Sequence, residues 1–182
     1  MSIQIPSLRG AATLGASGVL VLCTLACSNT PRSRESSQTY PMGSPVYVGP
    51  LTFTALEAEW KDQLDTENGP RMPKQRFLLL RVTVTNAGGT EQGVPLLSVV
   101  DTKGNAYIEE DKGEGVARWL GLLRILKPAQ TEEGYLIFDA PPGAYKLRVT
   151  TGGDPEQEMS ALIDIPFRLD TGTPDVIAPE KK

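Results

Sequence analysis

Histidine is absent from the 182 residues, and the only cysteines are Cys23 and Cys27. The first absence removes the usual general base near neutral pH and the commonest transition-metal ligand. The second leaves residues 28–182 without a thiol, so nothing there can form a disulfide or a cysteine-ligated zinc site. A fold in that stretch must hold by its core alone, which about 120 residues can supply. Charge of one sign is also missing: 18 basic and 22 acidic side chains give a net −4, with no polybasic run. That composition lacks the dense positive field that nucleic acid binding requires. Nor is there a long apolar run. The stretch from Ala11 to Ala26 is diluted by Gly15, Ser17 and Gly18 and falls short of the ~20 apolar residues of a bilayer span.

Catalytic signatures are equally scarce. Residues 28–182 hold no Gly-x-Ser-x-Gly elbow, no phosphate loop and no metal-binding motif, so the expectation is a non-enzyme without cofactor or metal. The densest acidic run, Glu109-Glu-Asp-Lys-Gly-Glu114, offers four carboxylates to a hard cation such as Ca²⁺. Lys112 inside it, and Lys103 inside Asp101-Thr-Lys-Gly-Asn105, favour solvated loops instead.

What is present begins at the N-terminus. Arg9 precedes the short apolar stretch, which ends in Leu20-Val-Leu-Cys-Thr-Leu-Ala-Cys27-Ser28. A charged start, a short apolar segment and small residues at a cut site make an export signal. Ordinary secretion gives the cysteine no role. The run resembles the lipobox of bacterial lipoproteins, Leu-Ala/Ser-Gly/Ala-Cys, with Thr24 in place of Leu and Leu25 where Ala or Ser is commoner. Cys23 is the rival, but bulky Leu22 stands directly before it. The resemblance implies removal of residues 1–26 and a diacylglyceryl group on Cys27. Two or three acyl chains anchor firmly where one binds marginally. Ser28 after the cysteine, rather than Asp, leans towards the outer membrane where the cell has one.

Residues 27–45 are then read as the lipidated cysteine and a disordered stalk, since SNTPRSRESSQTYPMGSP is polar and nearly free of apolar side chains. Residues 170–182 (DTGTPDVIAPEKK) read as a flexible tail. Between them, residues 46–169 show apolar residues with period two. Leu51, Phe53 and Ala55 begin a strand towards Trp60, and a polar loop over 65–73 follows. Leu78, Leu80, Val82 and Val84 form one face of the next strand. Phe77 and Leu79 make its first half apolar on the other face too, so something must cover it there. Leu96 to Val100, a hairpin turn with Gly104 at positive φ, and Ala106 to Glu109 come next. Tyr135 to Asp139, Tyr145 to Thr150 and Ala161 to Leu169 supply three more strands, with Tyr145/Leu147/Val149 and Ile163/Ile165/Phe167 as inward rows. Residues 116–126 (VARWLGLLRIL) suit a short helix or loop, then a strand from Leu122 to Leu126. Seven or eight short strands without βαβ alternation predict an all-β antiparallel sandwich.

Five motifs in order carry a resemblance: Phe77-Leu-Leu-Leu-Arg-Val-Thr-Val-Thr-Asn86, Asp101-Thr-Lys-Gly-Asn-Ala-Tyr107, Leu126-Lys-Pro128, Gly134-Tyr-Leu-Ile-Phe-Asp-Ala-Pro141 and Leu147-Arg-Val149. They resemble the immunoglobulin-like, telokin-like domains of bacterial lipoproteins, a family of unknown function. Ala129 stands where the family pattern has Gly after Pro128. The resemblance implies an immunoglobulin-like fold outside the cytoplasm. It implies no reaction and no catalytic residues.

Trp119 with neighbouring Arg118, and Trp60, are the candidate binding residues, because Trp and Arg dominate interface hot spots. Trp60, Trp119, Tyr107, Tyr135 and Tyr145 could alternatively stack sugar rings. The expected function is a lipid-anchored envelope protein presenting a non-catalytic module to another envelope protein. The alternatives are a carbohydrate-binding module and a small hydrolase with two facing carboxylates. The anchor is testable at once: the chain should incorporate labelled palmitate in globomycin-sensitive fashion, and Cys27→Ala should abolish the label and release the protein from membranes.

Overall fold

The computed structural model describes residues 34–154 and 156–168, with residues 34–37 described by backbone alone. The proposed signal, Cys27 and the tail over 170–182 lie outside them. Every regular element among the described residues is a strand, and no helix occurs. Four strands form one sheet: β2 (Val46–Val48), β3 (Leu51–Lys61), β6 (Phe77–Asn86) and β11 (Thr131–Asp139), in the order β11-β6-β3-β2. Five form the other: β1 (Arg34–Pro41), β8 (Ser98–Asp101), β9 (Ala106–Ile108), β12 (Tyr145–Thr150) and β13 (Met159–Ile165), in the order β1-β13-β12-β8-β9. Two small pairs complete the set, β4 (Leu64–Thr66) with β5 (Gly69–Arg71), and β7 (Gln92–Val94) with β10 (Arg124–Leu126). The fold is a β-sandwich, as the period-two pattern requires.

Alternation decides what lies between the sheets. Leu78, Leu80, Val82 and Val84 of β6 are buried together with Leu51, Phe53 and Ala55 of β3. Across from them lie Tyr145, Leu147 and Val149 of β12 and Ala161, Ile163 and Ile165 of β13. At ~25 cal/mol per Å² of apolar surface, these rows are the main force holding the layers together. Phe167 departs from the inward row expected of it: β13 ends at Ile165, before Pro166, and Phe167 is 41% exposed.

Polar pins fix the turns. Buried Asn86 closes β6 by donating through Nδ2 to Thr90 O (2.7 Å) and Leu126 O (2.9 Å), while its Oδ1 accepts from Gly88 N (2.8 Å). Ala129, where the pattern it resembles has Gly, adopts φ 61°, a left-handed conformation that glycine takes more readily. Asp101 accepts from Lys103 N, Asn105 N and Asn105 Nδ2, and these bonds hold its carboxyl below the usual range. Gly104 has φ 87°, as its hairpin demands. The Tyr145 hydroxyl donates to Pro141 O at 2.6 Å, and burial pushes its pKa up to about 12, so it stays a donor at any physiological pH.

Three expectations need correction. The disordered stalk expected over residues 27–45 does not extend to residue 45, because β1 pairs in parallel with β13, Thr39, Tyr40 and Pro41 facing Leu162, Ile163 and Asp164, and β2 starts at Val46. A sheet edge accepts backbone donors and acceptors whatever the side chains, so a polar segment can join it. The sandwich is therefore not wholly antiparallel. The loop over 65–73 contains the β4–β5 hairpin, which leaves Leu64 buried. Residues 116–126 form no helix, and their strand begins at Arg124 rather than Leu122. Asn86 gives the first stability test: Asn86→Ala strands two carbonyls and an amide, and should lower the unfolding free energy by about 2–3 kcal/mol in urea denaturation.

Candidate interaction surface

The first half of strand β6 is apolar on both faces, so its outer side there needs a cover. There Phe77, Leu79, Ile137 of β11 and Leu64 form a second buried cluster, separate from the inter-sheet core. Its cover is the long crossover between β9 and β10. Val116, Trp119 and Tyr135 pack on the cluster, and the indole sits so close to Gly113 that a Cβ there would lie 2.1 Å from the ring. Residues 118–120 run beside β11 like a short extra strand. Tyr135 N donates to Arg118 O (2.9 Å) and Leu120 N donates to Tyr135 O (3.2 Å). Trp119 turns onto the outer cluster while Leu120 packs on the inter-sheet core.

The two roots of this crossover are tied together inside the protein. Glu109 and Arg124 form an ion pair whose side chains are 0% and 2% exposed. Glu109 also accepts from Leu97 N (3.3 Å), and Arg124 Nε donates to Gly121 O (2.5 Å), but Arg124 Nη1 is buried without a partner. Burial pushes the Glu109 carboxyl above its usual range, with Arg124 opposing that shift. Further along, Arg71 of β5 pairs with Glu110, donates to Lys112 O (2.8 Å) and lies 5.0 Å above the Phe77 ring. The outer face ends in a charged ladder, Glu57–Arg81–Glu133–Arg118, with contacts of 2.9, 3.2 and 2.9 Å. The acidic run weighed as a calcium loop is thus dispersed: Glu109 and Glu110 serve two arginines, and Asp111 and Glu114 face solvent.

Just beyond the crossover, large apolar side chains face water. Leu123 is 96% exposed, Ile108 68% and Ile125 65%, with Leu96 and Leu122 partly exposed. Pairing places them at one corner, since Arg124 faces Val94, two residues from Leu96, and Ile108 faces Ser98, two residues beyond it. The strand expected over Leu122–Leu126 leaves three apolar residues, Leu122, Leu123 and Ile125, with no inward face to fill. The alternation Leu123/Ile125 against Arg124/Leu126 was the available signal.

Of the predicted binding residues, Arg118 and Trp119 lie together on the crossover and Trp60 lies elsewhere. Arg118 is exposed and has φ 60°, while half-buried Trp119 has its Nε1 buried without an acceptor. Trp60, half-buried, packs on the inter-sheet core at 6.0 Å from both Tyr145 and Phe167, and Tyr107 lies 5.7 Å from Tyr145. An open depression of about 280 Å³ lies beside these tyrosines, between Asp101–Asn105 and Pro141–Tyr145. Another, of about 330 Å³, is lined by Thr66, Asn68, Gly115 and two exposed carboxylates, Glu67 and Glu114.

Removing one partner of the buried pair should be severe. Arg124→Ala should cost about 3–5 kcal/mol at neutral pH. Because Glu109 then has a pKa raised by burial with no cation to oppose it, the variant should regain stability as pH falls towards the ordinary carboxyl range and lose it as pH rises through the raised value. The double replacement Glu109→Leu with Arg124→Leu should recover most of the loss, measured by urea midpoints between pH 4 and 8.

Comparison with known proteins agrees with this architecture. The chain is similar to the yjhA protein of Bacillus subtilis, with 16% identity, 69% of this chain and 99% of that one covered, and a TM-score of 0.50; this is a likeness of fold. Weaker matches are an uncharacterized beta-sandwich protein from Clostridium difficile (12% identity, 71% and 96% covered, TM-score 0.46) and the secreted protein MPT63 of Mycobacterium tuberculosis (11%, 70% and 97%, TM-score 0.49). Among curated proteins none matches. Residues 40–159, well over half of the chain and including the sandwich from β2 to the start of β13, match one family profile. The chain belongs to the family described as Domain of unknown function (DUF4352).

Proposed function

We propose that the protein is a lipid-anchored component of the cell envelope that presents an immunoglobulin-like sandwich, outside the cytoplasm, as a non-catalytic module for binding another envelope protein. The observation that carries the binding half is the exposed corner of Leu96, Ile108, Leu122, Leu123 and Ile125. Single exposed apolar residues are ordinary, but a gathered set marks an interaction surface. The export half rests on the N-terminal segment and Cys27. Arg118 lies on the same crossover as Leu122 and Leu123 and supplies a charged rim.

A second reading, glycan binding, is supported by Trp60, Tyr107, Tyr145 and Phe167 gathering at one end of the sandwich beside the 280 Å³ depression. The two readings separate cleanly. Cross-linking in intact cells should trap a protein adduct that falls at least tenfold in Leu123→Glu and Ile125→Glu variants of unchanged unfolding midpoint. An adduct indifferent to both substitutions would defeat the apolar corner. Absence of any adduct, with retention on purified cell-wall fragments that Phe167→Ala abolishes, would establish the glycan reading instead.

A further inference from the structure

The crossover carries signs of being a removable cover rather than a fixed part of the sandwich. We propose that residues 111–123 form a displaceable strap over the outer edge of β11, and that this edge accepts an extended strand of a partner protein in the strap's place. The proposal deepens the protein-binding reading and rests on it.

Four observations support it. Arg118 has φ 60°, a conformation disfavoured for any residue with a Cβ, and such outliers persist where the surroundings enforce them. Trp119 Nε1–H is buried with no acceptor, so closing the strap leaves a donor unsatisfied that water would satisfy on opening. The strap's backbone contact with β11 is slight: Arg118 O and Leu120 N bond to Tyr135, where β6 on the other side pairs along the whole of β11. Finally, the strap's roots have attachments of their own, beyond the two bonds that reach into the span from Arg71 to Lys112 O and from Arg124 to Gly121 O. Glu109 and Arg124 clamp them together in the interior, and Glu110 N donates to Ile137 O at 2.7 Å. The span can therefore lift while the sandwich stays closed.

The strap also specifies its replacement. Adjacent residues of an extended segment point to opposite faces, and here an aromatic, Trp119, enters the Phe77/Leu79/Ile137 cluster while an aliphatic, Leu120, meets the inter-sheet core. A partner strand with neighbouring aromatic and aliphatic residues would satisfy both faces, and main-chain bonds to Tyr135 would set its register. Arg118 and Trp119, released, would present their side chains outward beside Leu122 and Leu123.

Amide hydrogen exchange on the full chain in detergent micelles tests the strap. Leu120 and Tyr135 amides, which bridge strap and sheet, should exchange at least ~100-fold faster than that of Val82 in the centre of β6. Arg118→Gly and Arg118→Ala both lose the ion pair to Glu133, but only glycine relieves the backbone, so opening should be about threefold or more rarer in the glycine variant. Equal protection of Leu120, Tyr135 and Val82, with no difference between these variants, would overturn the strap. The edge is probed with an acetylated peptide of the strap's own sequence, EGVARWLG. It should shift the Tyr135 and Leu136 amide signals of a folded Trp119→Ala chain at concentrations at least tenfold lower than for wild type, and a Trp-to-Ser peptide should not. No shift in that folded variant would overturn the docking edge. Because none of these readouts involves a cellular partner, a mobile strap and a bound peptide without any cross-linked adduct would refute the protein-binding reading while leaving the strap in place.

Discussion

Burial of β6 on both faces is the constraint from which the rest of the structure follows. Its inner row, Leu78 to Val84, meets the second sheet, and its outer row begins with Phe77 and Leu79. A two-layer sandwich can cover only the first. The outer row requires a third, partial layer, and the chain makes it from two segments outside the main sheets: the β4–β5 hairpin with Leu64, and the crossover with Val116 and Trp119. The charged ladder from Glu57 to Arg118 begins where this cover ends, so the outer face passes from apolar to ionic along a single strand.

That arrangement gives the crossover an unusual mixture of attachments. At its roots, a desolvated carboxylate–guanidinium pair is anchored by further bonds to Leu97 and Gly121. In its span, apolar packing is joined by Arg71 to Lys112 O, Arg118 to Glu133 and two backbone bonds to Tyr135, with one left-handed arginine and one orphaned indole donor. Buried ion pairs contribute little net stability compared with apolar replacements of the same shape, but they resist the loss of either partner. The pair therefore fixes where the crossover begins and ends more than it strengthens the sandwich.

Much of the fold was legible from residues alone. The alternation from Leu51 and from Leu78 located β3 and β6, and the two-sided apolar run at Phe77–Leu80 announced a covering segment before any coordinates. What fills that cover was not legible. Trp119 and Arg118 stood out by type, yet nothing local in VARWLGLLRIL reveals a strand-like run of three residues beside β11, because a two-bond pairing leaves no periodicity. β1 was missed for a related reason. Edge pairing uses main-chain groups, which every residue but proline supplies equally, so a Ser- and Gln-rich segment reads as a linker. Glu109 and Arg124, separated by 15 residues, lay in segments that offered no sign of their pairing.

The edge position of β1 has a mechanical consequence. Because it runs parallel to β13, pairing with residues from Met159 to Asp164 across one register shift between Glu35 and Thr39, a pull along the strand axis loads its inter-strand bonds in shear, together rather than one after another. Arg34 lies seven positions after Cys27, a reach of at most about 25 Å when fully drawn out. Were the chain held at Cys27 as proposed, that reach would bound the distance from the attachment point to β1, the first element of the sandwich to carry the load.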